Sequence, residues 1–200
     1  MKKDVVAGLG EIGFPIYEIL SKGFTVYGYD INSDLIPKAS KKFEQHTTRF
    51  LHVCIPYSKN FVPKVLKLNK KFLPEAIVIH STIKPGTTRN IQKKLSIPVI
   101  FSATRGVHKR MPSDLKKYTK FFAFDKTIHN SKASSRLYAQ LMKKCGIRTK
   151  QVSEPVTLEL SKIGCDTSYY GWLINYSQIS KMIADGYNVD YDEMWSFADE

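Results

Sequence analysis

Gly8, Gly10 and Gly13 stand at the spacing Gly-x-Gly-x-x-Gly directly after the apolar run Val5-Val6-Ala7, and Asp30 closes the next such run, Val26-Tyr27-Gly28-Tyr29. Residues of these types in this order can hold a dinucleotide. The first glycine permits a tight turn off a strand, the second lets the backbone approach a pyrophosphate, and the third lets a helix pack closely on a sheet. The phosphates then rest on backbone groups of Gly10, Glu11 and Ile12 at the positive end of that helix. A carboxylate at Asp30 accepts hydrogen bonds from the hydroxyls of an adenosine ribose and repels a 2′-phosphate, so the expected coenzyme is NAD rather than NADP. Turn glycines alone are weak evidence. Here the strand before them, the amphipathic helix after them (Ile12, Ile16, Ile19, Leu20) and the acid beyond all agree.

Other residues with usable chemistry fall at the ends of later apolar runs. Ser81 and Thr82 end a strand on the expected ligand side, where hydroxyls can bond the coenzyme's ribose or amide. Pro85-Gly86 then turns the chain into a helix that Thr87 or Thr88 can cap. Pro56 ends the third strand and holds its backbone beside the nucleotide. Lys162 lies early on a long helix, where an ammonium near a substrate oxygen stabilises developing negative charge or takes part in proton transfer. His108 shares the basic loop 103–119 with Arg105, Lys109 and Arg110, a loop that suits a substrate phosphate.

The elements that must position these residues follow from periodicity. Strands are expected at 4–8, 24–30, 50–55, 76–81, 98–102, 120–125 and 147–152, with helices at 11–21, 33–44, 59–71, 87–95 and 131–145. This alternation predicts an α/β fold: a Rossmann-like, doubly wound, mostly parallel sheet over 1–152, followed by a helical extension over 153–200. In that extension Leu158, Cys165, Tyr169, Leu173, Tyr176, Ile179, Ile183 and Tyr187 recur at mostly three- and four-residue steps. Ile163, Tyr170 and Ile174 form a second apolar stripe. Burial on two sides, and a homodimer through this helix, are the expectation.

Composition sets limits. The chain has 200 residues with 42% apolar content, enough for a sizeable core, and no apolar run of membrane-spanning length. A signal peptide is not expected, because the N-terminal apolar run is committed to the glycine turn. Three cysteines without metal-ligand spacing fit reduced thiols of a cytoplasmic protein and give no metal site. The net charge of +13 suits an anionic small-molecule substrate. No nucleic-acid-binding motif accompanies it, and Lys64, Lys67 and Lys71 read as the solvated face of a helix whose other stripe is Phe61, Val65, Leu68 and Phe72.

Several of these segments together resemble the UDP-glucose/GDP-mannose dehydrogenase family. Gly8 to Ile16, with Pro15 in the first helical turn, is similar to that family's opening. Val53-Cys54-Ile55-Pro56 resembles its third strand, Ser81 to Thr88 its serine-threonine-proline-glycine-threonine stretch, and Glu159-Leu160-Ser161-Lys162 the start of its central helix. The resemblance implies hydride transfer from a substrate alcohol, such as that of a nucleotide sugar, to NAD, with Lys162 in the active site and the central helix as the dimer element. Departures accompany the matches. Thr104 stands where the family has a glutamate that organises the active-site water, and Asp166 stands where it has an asparagine, one helical turn from Lys162 and placed to pair with it.

The resemblance covers only the first half of a family member. The nucleotide-sugar domain and its cysteine nucleophile lie beyond its reach, and Cys54, Cys145 and Cys165 each read as buried and inert, so a four-electron oxidation by these residues alone is not expected. Two other readings remain open: a β-hydroxyacid dehydrogenase, which needs no such cysteine, and a non-catalytic NAD-binding or regulatory subunit.

Overall fold

The computed structural model describes residues 2–40 and 47–199. Seven strands form one sheet: β1 (Lys3–Ala7), β2 (Val26–Tyr29), β3 (Thr48–Val53), β4 (Pro74–Ile79), β5 (Val99–Phe101), β6 (Lys120–Phe124) and β7 (Thr149–Gln151). Their order is β2-β1-β3-β4-β5-β6-β7, and every neighbouring pair is parallel except β5 and β6. The winding reverses at β1, so the turn after it opens at the switch point where such sheets take ligands. All seven strands fall where the apolar runs place them.

Alternation along β1 to β6 builds two cores, one per face. On one face Val6, Phe50, Val78, Ile100 and Phe122 meet Ile16, Ile19 and Leu20 of α1 (Gly13–Ser21), Met111 and Leu115 of α4 (Met111–Lys117), and Tyr138, Leu141 and Met142 of α5 (Ser131–Lys144). On the other, Val5, Leu51, Val53, Ile77 and Ile79 meet Phe61, Val65, Leu68 and Phe72 of α2 (Phe61–Phe72), Ile91 of α3 (Thr87–Gln92) and Leu158 of α6 (Pro155–Ser161). Lys64, Lys67 and Lys71 lie on the exposed face of α2, as the stripe predicts. The register of β1 against β3 shifts between Lys3 and Val5. There the buried Asp4 carboxylate accepts Phe50 N at 3.2 Å and binds Arg49 through both oxygens.

Two expectations are corrected. The helix expected at 33–44 is replaced over its described part by two 3-10 turns, Ser33–Leu35 and Lys38–Ser40. Pro37 forbids helical geometry at Ile36, which sits extended at φ −79°, ψ 119°; residues 41–44 lie outside the described residues. The stretch 103–119 is not a plain loop, since it contains α4, which has a proline in its first turn.

The long helix runs unbroken from Pro155 to Gly186, as its periodicity predicts, but passes through π geometry at Lys162–Ser168 before α7 (Tyr169–Gly186). The chain divides into two compact units, 1–160 and 161–200. In the second, α7 turns at Asn188, which has φ 54°, into α8 (Tyr191–Asp199). The hairpin closes around Trp195, which packs edge-on against Tyr176 and Tyr191, and around the buried Ala184. Most other apolar side chains of α7 are exposed. Among the described residues no helix is long and apolar enough to cross a membrane.

Candidate functional site

The glycine turn is built by close packing at two positions and left open at the third. Gly8 has φ +90°, and a Cβ there would stand 2.8 Å from the carbonyl of Cys54. A Cβ on Gly13 would stand 1.7 Å from the Gly8 oxygen, so only glycine lets α1 begin against β1. A Cβ on Gly10 would meet no atom within 4 Å. The protein's own packing therefore does not require Gly10, whereas a ligand pressed onto the backbone would. Among the described residues the N–H groups of Gly10, Ile12 and Gly13 find no acceptor, and Ile12, the helix N-cap, supplies no side-chain bond. These unsatisfied amides at the start of α1 fit a diphosphate. Glu11 is exposed beside them.

Asp30 is half-buried at the end of β2 and faces the same turn. Its Oδ2 accepts Leu9 N at 2.7 Å and its Oδ1 accepts Asn32 N at 2.9 Å. The carboxylate thus fixes the turn, and each oxygen keeps a lone pair able to accept a further hydrogen bond.

The loops after β3 and β4 complete this edge. Pro56 is exposed beyond Val53. Ser81 is buried, with its hydroxyl donating to Ile55 O at 2.6 Å, so it ties the two loops together; Thr82 beside it is exposed. A cleft of about 340 Å³ opens between these loops, with Lys59 and Lys84 on its walls. Neither Thr87 nor Thr88 caps α3. Gly86 is its N-cap, and the cap is supplied by the buried Glu159 of α6, whose carboxylate accepts Gly86 N, Thr88 N and Thr88 Oγ1.

Thr104, beyond β5, is buried, and its Oγ1 accepts Lys120 Nζ at 3.0 Å. Lys120, itself buried, also donates to Ser102 O at 3.0 Å. Tyr138 reaches Ser102 Oγ at 2.9 Å, and its burial raises the phenol's pKa. Beneath this edge His52 Nδ1 lies 2.9 Å from His80 Nε2, both rings buried. Desolvation lowers His52 to about 4, with Lys120 and Arg49 adding to the fall and Asp4 opposing it. Burial followed by Lys120 and His52 also holds His80 well below its usual value. No motif spacing in the sequence points to this group. Its signal is a lone polar residue in an apolar run, as in Phe50-Leu51-His52-Val53 and Ile79-His80.

Lys162 forms an ion pair with Asp166 on the π segment, both side chains mostly buried. A π turn in a helix is often found at a functional position. Arg105 stacks on Tyr118, Asp114 ties Val107 N to α4 at 2.9 Å, and the side chain of His108 lies outside the described residues. Cys54 is buried, with its thiol pushed up to about 12 by desolvation. Cys145 is half-buried. Cys165 is exposed, which corrects the expected burial.

A doubly wound sheet with an open glycine cradle at its switch point is the fold of NAD(P)-binding dehydrogenase domains. The chain superposes over 98% of its length on UDP-D-ManNAc dehydrogenase from Pyrococcus horikoshii, with a TM-score of 0.79 at 17% identity, covering 57% of that chain. For UDP-N-acetyl-mannosamine dehydrogenase from Staphylococcus aureus the TM-score is 0.73 at 17% identity, with 99% of this chain covering 58% of that one. For 3-hydroxyisobutyrate dehydrogenase from Mycobacterium tuberculosis it is 0.76 at 13% identity, with 98% of this chain covering 69% of that one. At these identities the likeness is one of fold, and the chain spans less than three fifths of the two nucleotide-sugar dehydrogenases. No protein-family model and no curated protein matches the sequence.

Proposed function

We propose that the chain binds NAD at the Gly8–Gly13 turn and serves as the coenzyme-binding part of an oxidoreductase that removes hydride from a substrate alcohol. The observation that carries this reading is Gly10: its position is open, unexplained by packing, and lined by amides that find no acceptor among the described residues. Gly10, Glu11 and Ile12 would hold the pyrophosphate and Asp30 the adenosine ribose, with Pro56, Ser81 and Thr82 flanking the nicotinamide side. When bound, NAD supplies the hydride acceptor. Lys162, with its charge balanced by Asp166, would meet the substrate oxygen and stabilise the negative charge that develops there. Lys59 and Lys84 beside the cleft favour an anionic substrate, for which a nucleotide sugar is the first candidate.

A β-hydroxy acid is the second candidate substrate. The fold likeness to 3-hydroxyisobutyrate dehydrogenase favours it, as does Thr104, which puts a lysine-bound hydroxyl where the resembling nucleotide-sugar dehydrogenase family has a water-organising carboxylate. The exposed apolar face of α7 supports a homodimer, and the unpaired cysteines suit a reducing compartment such as the cytoplasm.

Calorimetric titration with NADH and NADPH tests the coenzyme, with NADH expected to bind roughly tenfold or more tightly because Asp30 repels a 2′-phosphate. Asp30→Asn should narrow that ratio. If neither nucleotide binds folded protein, the proposal fails. A panel of UDP-sugars, GDP-sugars and short hydroxy acids, followed by NADH absorbance, then separates the two substrate classes.

A further inference from the structure

Glu159 is 1% exposed, yet its carboxylate is held by one short stretch more than 70 residues earlier. It accepts Gly86 N at 2.5 Å, Thr88 N at 2.9 Å and Thr88 Oγ1 at 2.5 Å. The need for it lies in α3, which starts at a glycine in left-handed geometry, φ +86°, and so has no side chain of its own to satisfy its first amides. All three partners are donors, so the position demands a group that only accepts, and an ionised carboxylate makes the stronger, charge-assisted bonds. A glutamine would turn its NH₂ towards one of these donors.

The stretch held in this way continues the Ser81–Thr82 loop, which Ser81 joins to the Pro56 loop through Ile55 O. A continuous set of bonds therefore links the loops after β3 and β4 to α6. Three residues beyond Glu159 the chain enters the π segment at Lys162.

We propose that Glu159 is a positioning residue: its carboxylate couples occupancy of the coenzyme loops to the order of α6, the turn from which Lys162 follows. This rests on the coenzyme reading above and names the residue through which that site acts on the helix. Filling the cradle restrains the Ser81–Thr88 loop, and the clamp passes that restraint to residues 155–161, so both segments open less often.

Hydrogen exchange read by mass spectrometry, with and without saturating NADH, tests the coupling on the wild type, Glu159→Gln and Thr88→Val, with thermal melts to confirm folding. In the wild type NADH should slow exchange over 8–14, 84–92 and 155–161. In Glu159→Gln the protection of 155–161 should fall roughly tenfold while that of 8–14 persists. Thr88→Val removes a single bond and should give a partial loss, which decides the matter if Glu159→Gln does not fold. Protection of 155–161 that survives in the folded variants, or that never arises in a wild type protected at 8–14, overturns the proposal. If the wild type shows no protection even at 8–14, the coenzyme reading itself falls and takes the coupling with it.

Discussion

Gly13 and Gly10 occupy the same turn for different reasons, and substitution should separate them. Alanine at Gly13 drives a methyl into the Gly8 carbonyl, with 1.7 Å between the atoms, and neither backbone can retreat without moving β1 or α1. The cost should reach or exceed the upper end of the roughly 1–3 kcal/mol of ordinary overpacking. Alanine at Gly10 meets nothing in the protein, and the lost chain freedom should leave stability within about 1 kcal/mol of the wild type or slightly above it. Its methyl would instead occupy the space a pyrophosphate needs. Thermal melts paired with NADH titrations should therefore show Gly13→Ala melting early and Gly10→Ala melting normally but binding NADH at least about tenfold more weakly. Unchanged NADH affinity in Gly10→Ala would remove the cradle. The spacing of the glycines was legible in the sequence because it follows from what backbone and phosphate each need. The work of Glu159 was not, because its partners lie more than 70 residues away and nothing local points to them.

At the level of elements, β3 and β4 carry an acid-sensitive pair. His52 and His80 are neutral in the folded chain, one ring donating to the other, while His52 Nε2 and His80 Nδ1 have no partner among the described residues. Their folded pKa values are lowered, so between the unfolded value near 6.5 and about 4 the unfolded chain takes up protons that the folded chain refuses. The stability this contributes is present above pH 6.5 and lost as pH falls, by about 3 kcal/mol for His52 across that window. Urea midpoints measured from pH 7 to 4.5 should fall steeply for the wild type and less so for His52→Leu/His80→Leu, which removes both polar partners together. Equal slopes would show that the pair does not titrate as described. The strands β1 to β6 were readable because each carries β-branched or aromatic residues that must alternate between two cores, whereas β7 is a short polar strand at the sheet edge. An apolar run does not reveal which buried polar residues will meet across strands. The helix expected at 33–44 does not form because Pro37 disfavours helical geometry at the residue before it, and Ile36 is extended. The helix α4 was hidden because basic residues and a proline read as loop, although the proline stands in the first turn where it costs little.

Across the whole molecule, the exposed apolar surface of the second unit calls for a partner. Trp172, Tyr176, Ile179 and Ile183 follow at four-, three- and four-residue steps and so form one stripe of α7, with Trp172 73% and Ile183 53% exposed. A contiguous apolar stripe of this kind is rare on a monomer. A second copy is the simplest cover, because a two-fold axis across α7 sets the stripe against itself and closes the assembly. Light scattering after size exclusion should give the wild type twice the mass of one chain and the Trp172→Glu/Ile183→Lys variant the mass of one. The variant should still bind NADH, since the cradle is built entirely within 1–160. A wild type that is monomeric at micromolar concentration, or a variant that remains dimeric, would exclude α7 as the dimer contact. Loss of NADH binding together with the dimer would mean instead that the cradle needs the partner to form, and that the coenzyme site and the oligomer are a single equilibrium.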